Sequence, residues 1–293
     1  MANLFYNCVH SMSDTSNSTL TQLTYSVRSG ANIISQVSHI ILVVLPRGIL
    51  IAGYNTPGEL LTTQFVAYKK SMPQWVFDFY EHLFLEEEIL ASTEKIKAVF
   101  IAAEKYLIVP DAIYEPDEAR SWLEKLFFIE SNDTVDKYTL TDDQAQSLYA
   151  YPVGIKNIVN RYFPQAKLLP LSGYQFLKPF KSDVFIQCCI TSETVCATMY
   201  NNKSLQWHQV FSYETVEDIA YHLNQMMQQY RVVAEQEVEL MVSVVHKDLN
   251  PILMDLSQYF PNLKYRNGSN NYNDAHEWTP TIALLQHLFS CVS

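Results

Sequence analysis

Apolar and polar positions change period once, sharply, between Ser204 and Tyr230. Along Ser204-Leu-Gln-Trp-His-Gln-Val-Phe-Ser212, Leu205, Trp207, Gln209 and Phe211 alternate with Gln206, His208 and Val210, the period of two of a half-buried strand. From Thr215 onward Ile219, Leu223, Met226, Met227 and Tyr230 fall on one stripe at helical spacing. Thr215 is a good N-cap and Asp218 stands three residues later, a capping-box variant. Glu217 and Asp218 also sit at the positive end of the helix dipole. This strand followed by a capped helix reports on fold and little on chemistry.

The other segments can be ordered around it. Residues 1–20 are rich in Ser, Thr and Asn, which predicts a mobile arm; the sequon Asn17-Ser-Thr19 carries no meaning inside a cell. Leu23, Tyr25 and Val27 alternate and lead to a turn at Ser29-Gly30. The stretch from there to Ser38 has no clear period. Residues 40–45 and 49–54 are apolar, β-rich runs joined by Pro46-Arg47-Gly48, a tight hairpin. A turn at Asn55-Thr-Pro-Gly58 precedes an unassigned segment. Pro73 then opens a helix expected over 74–91, carrying Trp75, Val76, Phe79, Leu83, Ile89 and Leu90. Strands follow at 97–103 and 106–109, a helix from Glu115-Pro116, strands at 138–140 and 148–151 around Thr141-Asp-Asp143, a helix at 154–163 and a strand at 167–169.

Beyond Pro170 the order starts again. Strands at 184–190, 194–200 and 205–211, joined by Thr191-Ser-Glu193 and Asn201-Asn-Lys203, form a meander. The capped helix, a strand at 238–245, a helix at 251–260, a short strand at 263–265, the loop Gly268-Ser-Asn-Asn-Tyr-Asn273 and a helix at 281–289 complete it. A meander feeding right-handed strand–helix–strand crossovers predicts a mixed sheet with helices on its faces. The expected division is an arm at 1–20, a first lobe at 21–170 and a second at 171–293.

Composition narrows the class. Hydrophobic residues at 48% and charged residues at 17% describe a folded domain, and 293 residues suffice for a core without disulfides or metals. The net charge of -11 repels nucleic-acid phosphates and anionic lipid heads, so nucleic acid is not an expected partner. Cys8, Cys188, Cys189, Cys196 and Cys291 form no CxxC pair or Cys/His cluster, which suits a reducing compartment and buried thiols. The apolar run at 40–45 ends at Pro46, far short of a membrane span, and the first residues lack the features of a secretory signal. A cytoplasmic protein without membrane insertion is expected.

Trp207-His-Gln-Val-Phe-Ser-Tyr-Glu-Thr-Val-Glu-Asp-Ile-Ala-Tyr-His-Leu223, with Tyr106-Leu-Ile-Val-Pro110 followed by Pro116-Asp-Glu118, resembles an uncharacterised bacterial family of domains of unknown function, number 3822. That family is placed among actin-like folds, and the similarity runs over about residues 20–290. The resemblance implies an α/β, actin-like (ribonuclease-H-like) duplicated fold of two lobes across a cleft. Actin-like ATPases hold phosphates on Asp-x-Gly hairpins and adenosine on a Gly-Gly motif, since phosphates need close backbone amides and an acid to place Mg²⁺. Here the seven glycines, at 30, 48, 53, 58, 154, 173 and 268, include none two residues after an Asp and no adjacent pair. The second-lobe hairpin reads Thr191-Ser-Glu193, and the first lobe has Arg28-Ser-Gly30.

Other chemistries fare no better. The chain has no P-loop, GxGxxG, GxSxG or HExxH sequence. Asp274-Ala-His276-Glu277, His246-Lys-Asp248 and Glu86-Glu-Glu88 hold metal-ligand types, but each offers too few on one face. His208 and His222 are expected in structural roles. No residue is therefore singled out as catalytic, cofactor-binding or metal-ligating. Nineteen tyrosines suit contact surfaces. The expectation is a non-catalytic interaction or scaffold module with a protein partner, capable of self-association. The alternatives are a divergent nucleotide-binding ATPase or switch and a small-molecule sensor using the cleft.

Overall fold

Residues 40–45 have no polar face because β2 (His39–Leu45) lies between two neighbours with both of its faces covered. It pairs antiparallel with β3 (Gly48–Tyr54), which pairs with β4 (Leu60–Tyr68), which pairs in turn with β1 (Gln22–Arg28). On its other side β2 pairs in parallel with β5 (Ile96–Ile101), and β5 with β9 (Lys167–Pro170). The first sheet is thus β1-β4-β3-β2-β5-β9. The computed structural model describes residues 22–28, 33–69, 71–176, 182–232, 238–260, 264–265 and 279–292. The arm at 1–20, the turn at Ser29-Gly30 and the loop at 268–273 lie outside them.

The second sheet repeats the plan. β10 (Val184–Ile190), β11 (Thr194–Asn201) and β12 (Ser204–Ser212) form the antiparallel meander, while β13 (Val238–Val244) and β14 (Lys264–Tyr265) add in parallel, giving β12-β11-β10-β13-β14. Strand for strand this is the first sheet's β4-β3-β2-β5-β9, with β1 an addition at the first sheet's edge. The β11–β12 turn places Asn202 and Lys203 at φ of 49° and 63°, the left-handed pair that a two-residue hairpin requires. Between β5 and β9 the chain inserts a three-stranded sheet, β6 (Lys105–Pro110), β8 (Ala145–Pro152) and β7 (Asp133–Leu140) in the order β6-β8-β7, closed by a short α-helix at Ala119–Glu124.

The helices cover what the sheets leave apolar. α1 (Ile33–Gln36) is a single turn. α2 (Phe77–Glu86) buries Phe79, Tyr80, Leu83 and Phe84, and, with the inserted helix counted as α3, α4 (Val153–Tyr162) buries Ile155, Ile158 and Val159 against one face of the first sheet. The expected start at 74 is corrected. Trp75 adopts φ 57° and gives its N–H to the Pro46 carbonyl at 2.7 Å, so the first helical turn cannot form before Phe77. α5 (Val216–Gln229) has the expected cap, with Thr215 and Asp218 bonding reciprocally at 3.4 and 2.9 Å. α6 (Asn250–Tyr259) buries Leu256 and leaves Met254 exposed. α7 (Thr279–Ser290) packs on β13, and its Leu285 carbonyl accepts a hydrogen bond from the Tyr54 hydroxyl of the first sheet at 2.8 Å. Ile41, Val43 and Phe100 of the first sheet belong to one core with Phe185, Leu240 and Leu284 of the second half.

Candidate functional cleft

Parallel strands send their carboxyl ends the same way, and open α/β sheets collect ligands beyond those ends. Here the segments following β2, β5, β10 and β13 converge. They are Pro46 and Arg47, Glu104, Thr191 to Glu193, and His246 to Asp248. The β2–β3 turn is the first sheet's equivalent of the β10–β11 turn, so the hairpin that answers Thr191-Ser-Glu193 is Pro46-Arg47 and not, as expected, Arg28-Ser-Gly30, since Arg28 ends the added edge strand β1.

The two hairpin turns are tied together. Arg47 Nη1 of the first makes an ion pair with Glu193 Oε1 of the second, and the side chains are only 20% and 14% exposed. Arg47 Nε also donates to the Met72 carbonyl at 2.8 Å. Gln74 Nε2 donates to Glu193 Oε2 at 2.9 Å and to Glu104 Oε1 at 3.1 Å, so one amide joins carboxylates from both halves. Burial raises the Glu104 pKa, opposed by the Gln74 hydrogen bond and the Arg47 charge.

In both turns part of the backbone is already engaged. In the β10–β11 turn Thr191 Oγ1 accepts from the N–H groups of Glu193 and Thr194 at 3.3 and 2.9 Å, and the Thr191 N–H goes to the Thr194 carbonyl at 2.8 Å. The other turn begins with Pro46, which has no N–H. Its carbonyl is held by Trp75 N–H and by the Tyr68 hydroxyl at 2.8 Å. A triphosphate in this slot would meet the carboxylates of Glu104 and Glu193, with the Glu193 and Thr194 amides already engaged.

Behind the ion pair lies a pocket of about 200 Å³ walled by Leu45, Phe65, Ala67 and Tyr68. His246 stacks on Phe65 at 4.5 Å and shares a 3.0 Å hydrogen bond between Nε2 and Ser192 Oγ. Burial pushes its pKa down to about 4, against the opposing pull of Asp248, so the ring is neutral at pH 7. The His208 ring is shielded from solvent as well. Thr198 Oγ1 gives its proton to Gln175 Oε1 at 2.8 Å, which assigns the donor role in the 2.8 Å Thr198–His208 contact to Nδ1. Burial holds its pKa down at about 3.

The remaining sequence candidates scatter. Glu86, Glu87 and Glu88 end one helix and begin a short 3-10 turn, with Glu86 on His82 at 3.0 Å and Glu87 on Gln64 at 3.2 Å. His222 packs on Phe211 at 4.3 Å. Cys188, Cys189 and Cys196 are buried, as expected, while Cys291 is half-buried. Arg28 ends β1; Ser29, Gly30, Asp274, His276, Glu277 and Cys8 lie outside the described residues. Among the described residues no group of three or more His, Cys, Asp or Glu side chains could hold a metal ion. Sequence reading passed over Gln74, Glu104 and the Arg47–Glu193 pair. The only signal was one charged residue of opposite sign in each of two equivalent hairpin turns.

A family model described as "Protein of unknown function (DUF3822)" matches residues 31–263. The chain belongs to this family. No curated protein matches it. Among solved structures, a Bacteroides thetaiotaomicron VPI-5482 protein described as having an actin-like ATPase fold and unknown function aligns with a TM-score of 0.69 at 14% identity, covering 89% of this chain and 100% of that one. A chain of the PilM-PilN type IV pilus biogenesis complex aligns with a TM-score of 0.52 at 13% identity, covering 87% and 98%. The likeness shows that this DUF3822 member has the actin-like fold. Among its described residues no helix is long and apolar enough to cross a membrane.

Proposed function

We propose that this protein is a non-catalytic interaction module, an actin-like scaffold of the cytoplasm that engages a protein partner and is capable of self-association, and that it does not turn over nucleotide. The observation that carries this reading is the Arg47–Glu193 ion pair, which occupies the slot between the two hairpin turns while Thr191 Oγ1 engages two amides of one of them. The actin-like chain of the PilM-PilN complex supports it as a protein of this fold found in a pilus biogenesis assembly. The pocket walled by Leu45, Phe65 and Tyr68 favours a second reading, a small-molecule sensor.

Thermal unfolding with millimolar Mg²⁺-ATP, ADP or GTP tests the proposal. The expected result is an unchanged midpoint. A ligand at 100 times its Kd adds about 2.7 kcal/mol, so a rise of several degrees with any of the three overturns it.

A further inference from the structure

Two hollows of the cleft surface, about 410 and 390 Å³, share Gln74 and Glu104 and so form one continuous groove. One end runs along residues 210–214 of β12 and its exit; the other passes between Trp75 and Phe77 on one side and residues 150–152 of the inserted sheet on the other. Its lining holds five carboxylates, Glu104, Glu130, Asp133, Glu193 and Glu214, against two cations, Arg47 and Lys105. Both cations are already committed, Arg47 to Glu193 and Lys105 to Asp133 at 2.7 Å. Glu104 is half-buried with an amide as its hydrogen-bond partner and shares the charge of both cations, while Glu130 and Glu214 are exposed, so the groove keeps an acidic excess. A half-buried carboxylate facing an amide gains from an arriving cation.

The groove also has an apolar side and runs to the end strand of a sheet. Phe77 is 38% exposed beside it, and the half-buried Trp75 lines it. β12 is the end strand of its sheet, paired to β11 alone among the described strands. An end strand accepts an added strand through its main chain, and alternate side chains of that strand then reach one face.

We infer that this groove binds an extended segment of another protein in which Lys or Arg alternates with apolar residues, its cations meeting Glu104, Glu130 and Glu214 and an apolar side chain packing against Trp75 and Phe77. This rests on the interaction reading above and locates the contact. The sign of the groove excludes phosphorylated and acidic segments, and the apolar flank distinguishes the ligand from a bare polyamine.

Selection of a phage-displayed random decapeptide library on the full chain, followed by fluorescence anisotropy with the winning peptides, tests it. The expected winners alternate basic and apolar residues and weaken at least about ten-fold towards Glu130→Lys and Glu214→Lys, two exposed positions where folding is not at risk. Spermine at equal charge concentration is expected to compete poorly. Winners without basic enrichment, or equal displacement by spermine, overturn the inference. Winners that bind both variants as tightly as the native chain overturn the groove yet leave the interaction reading standing, whereas a nucleotide-induced thermal shift strikes that reading itself.

Discussion

Arg47 and Glu193 stand in equivalent turns of the two sheets and face each other as an ion pair, one guanidinium in the first half and one carboxylate in the second. Both side chains are largely shielded, so removing one partner strands the other. Arg47→Ala is expected to cost about 3 kcal/mol, the low end for a buried pair, and Arg47→Met with Glu193→Leu to recover most of it. Urea unfolding of the single and double variants measures the coupling. Additive losses would show that the pair contributes no link between the halves.

His246 sets a pH dependence. Its pKa is about 4 in the folded chain against an ordinary value of 6.5, so between these values the unfolded chain binds a proton that the folded chain refuses. Stability therefore rises with pH across that window and falls as pH drops from 6.5 to 4. The span is worth about 3 kcal/mol for this one group. Urea unfolding at pH 7, 6, 5 and 4 should show a shallower fall for His246→Gln than for the native chain, and parallel curves would refute the assignment.

Burial raises the thiol pKa of Cys188, Cys189 and Cys196, with Cys189 at about 12. A thiol so placed has almost no thiolate at neutral pH. Under native conditions these three are expected to stay unlabelled by Ellman's reagent for hours and to react at once in denaturant. Peptide mapping of the labelled chain distinguishes them from the other two cysteines.

Thr215 caps α5 and Gly58 admits α7. Thr215→Ala is expected to lose about 1 kcal/mol, with Thr215→Ser nearly neutral. Gly58 has φ +89°, and a Cβ there would lie 2.7 Å from the Phe289 ring, which stacks on Tyr54. Gly58→Ala combines left-handed strain with a clash and is expected to cost about 2 kcal/mol. Thermal melts of the two variants give the comparison; a neutral Gly58→Ala would mean that Phe289 moves aside freely.

Much of the fold was legible because local signals and tertiary burial agree. The β2–β3 hairpin, the three-strand meander and the Thr215 cap each carry their own pattern. β4 escaped because Thr62 and Thr63 are buried inside a sheet, Thr63 bonding the Ile51 carbonyl at 3.1 Å, and so read as polar in a strand with no wet face. The start of α2 was misplaced because Trp75 answers to Pro46, a partner 29 residues away, and not to its own neighbours. The cleft was less legible still. Arg47 meets Glu193, and Gln74 meets both Glu104 and Glu193, only after two sheets have docked. No period in the chain encodes such a meeting.

Tyr54 ends the β2–β3 hairpin in the first third of the chain, yet its hydroxyl and its ring are both satisfied by α7, through Leu285 and Phe289. During synthesis the first half must therefore leave the ribosome with Ile41, Val43 and Tyr54 waiting for residues made more than 200 positions later. Until α7 is complete, that bare face is the surface a chaperone would have to guard.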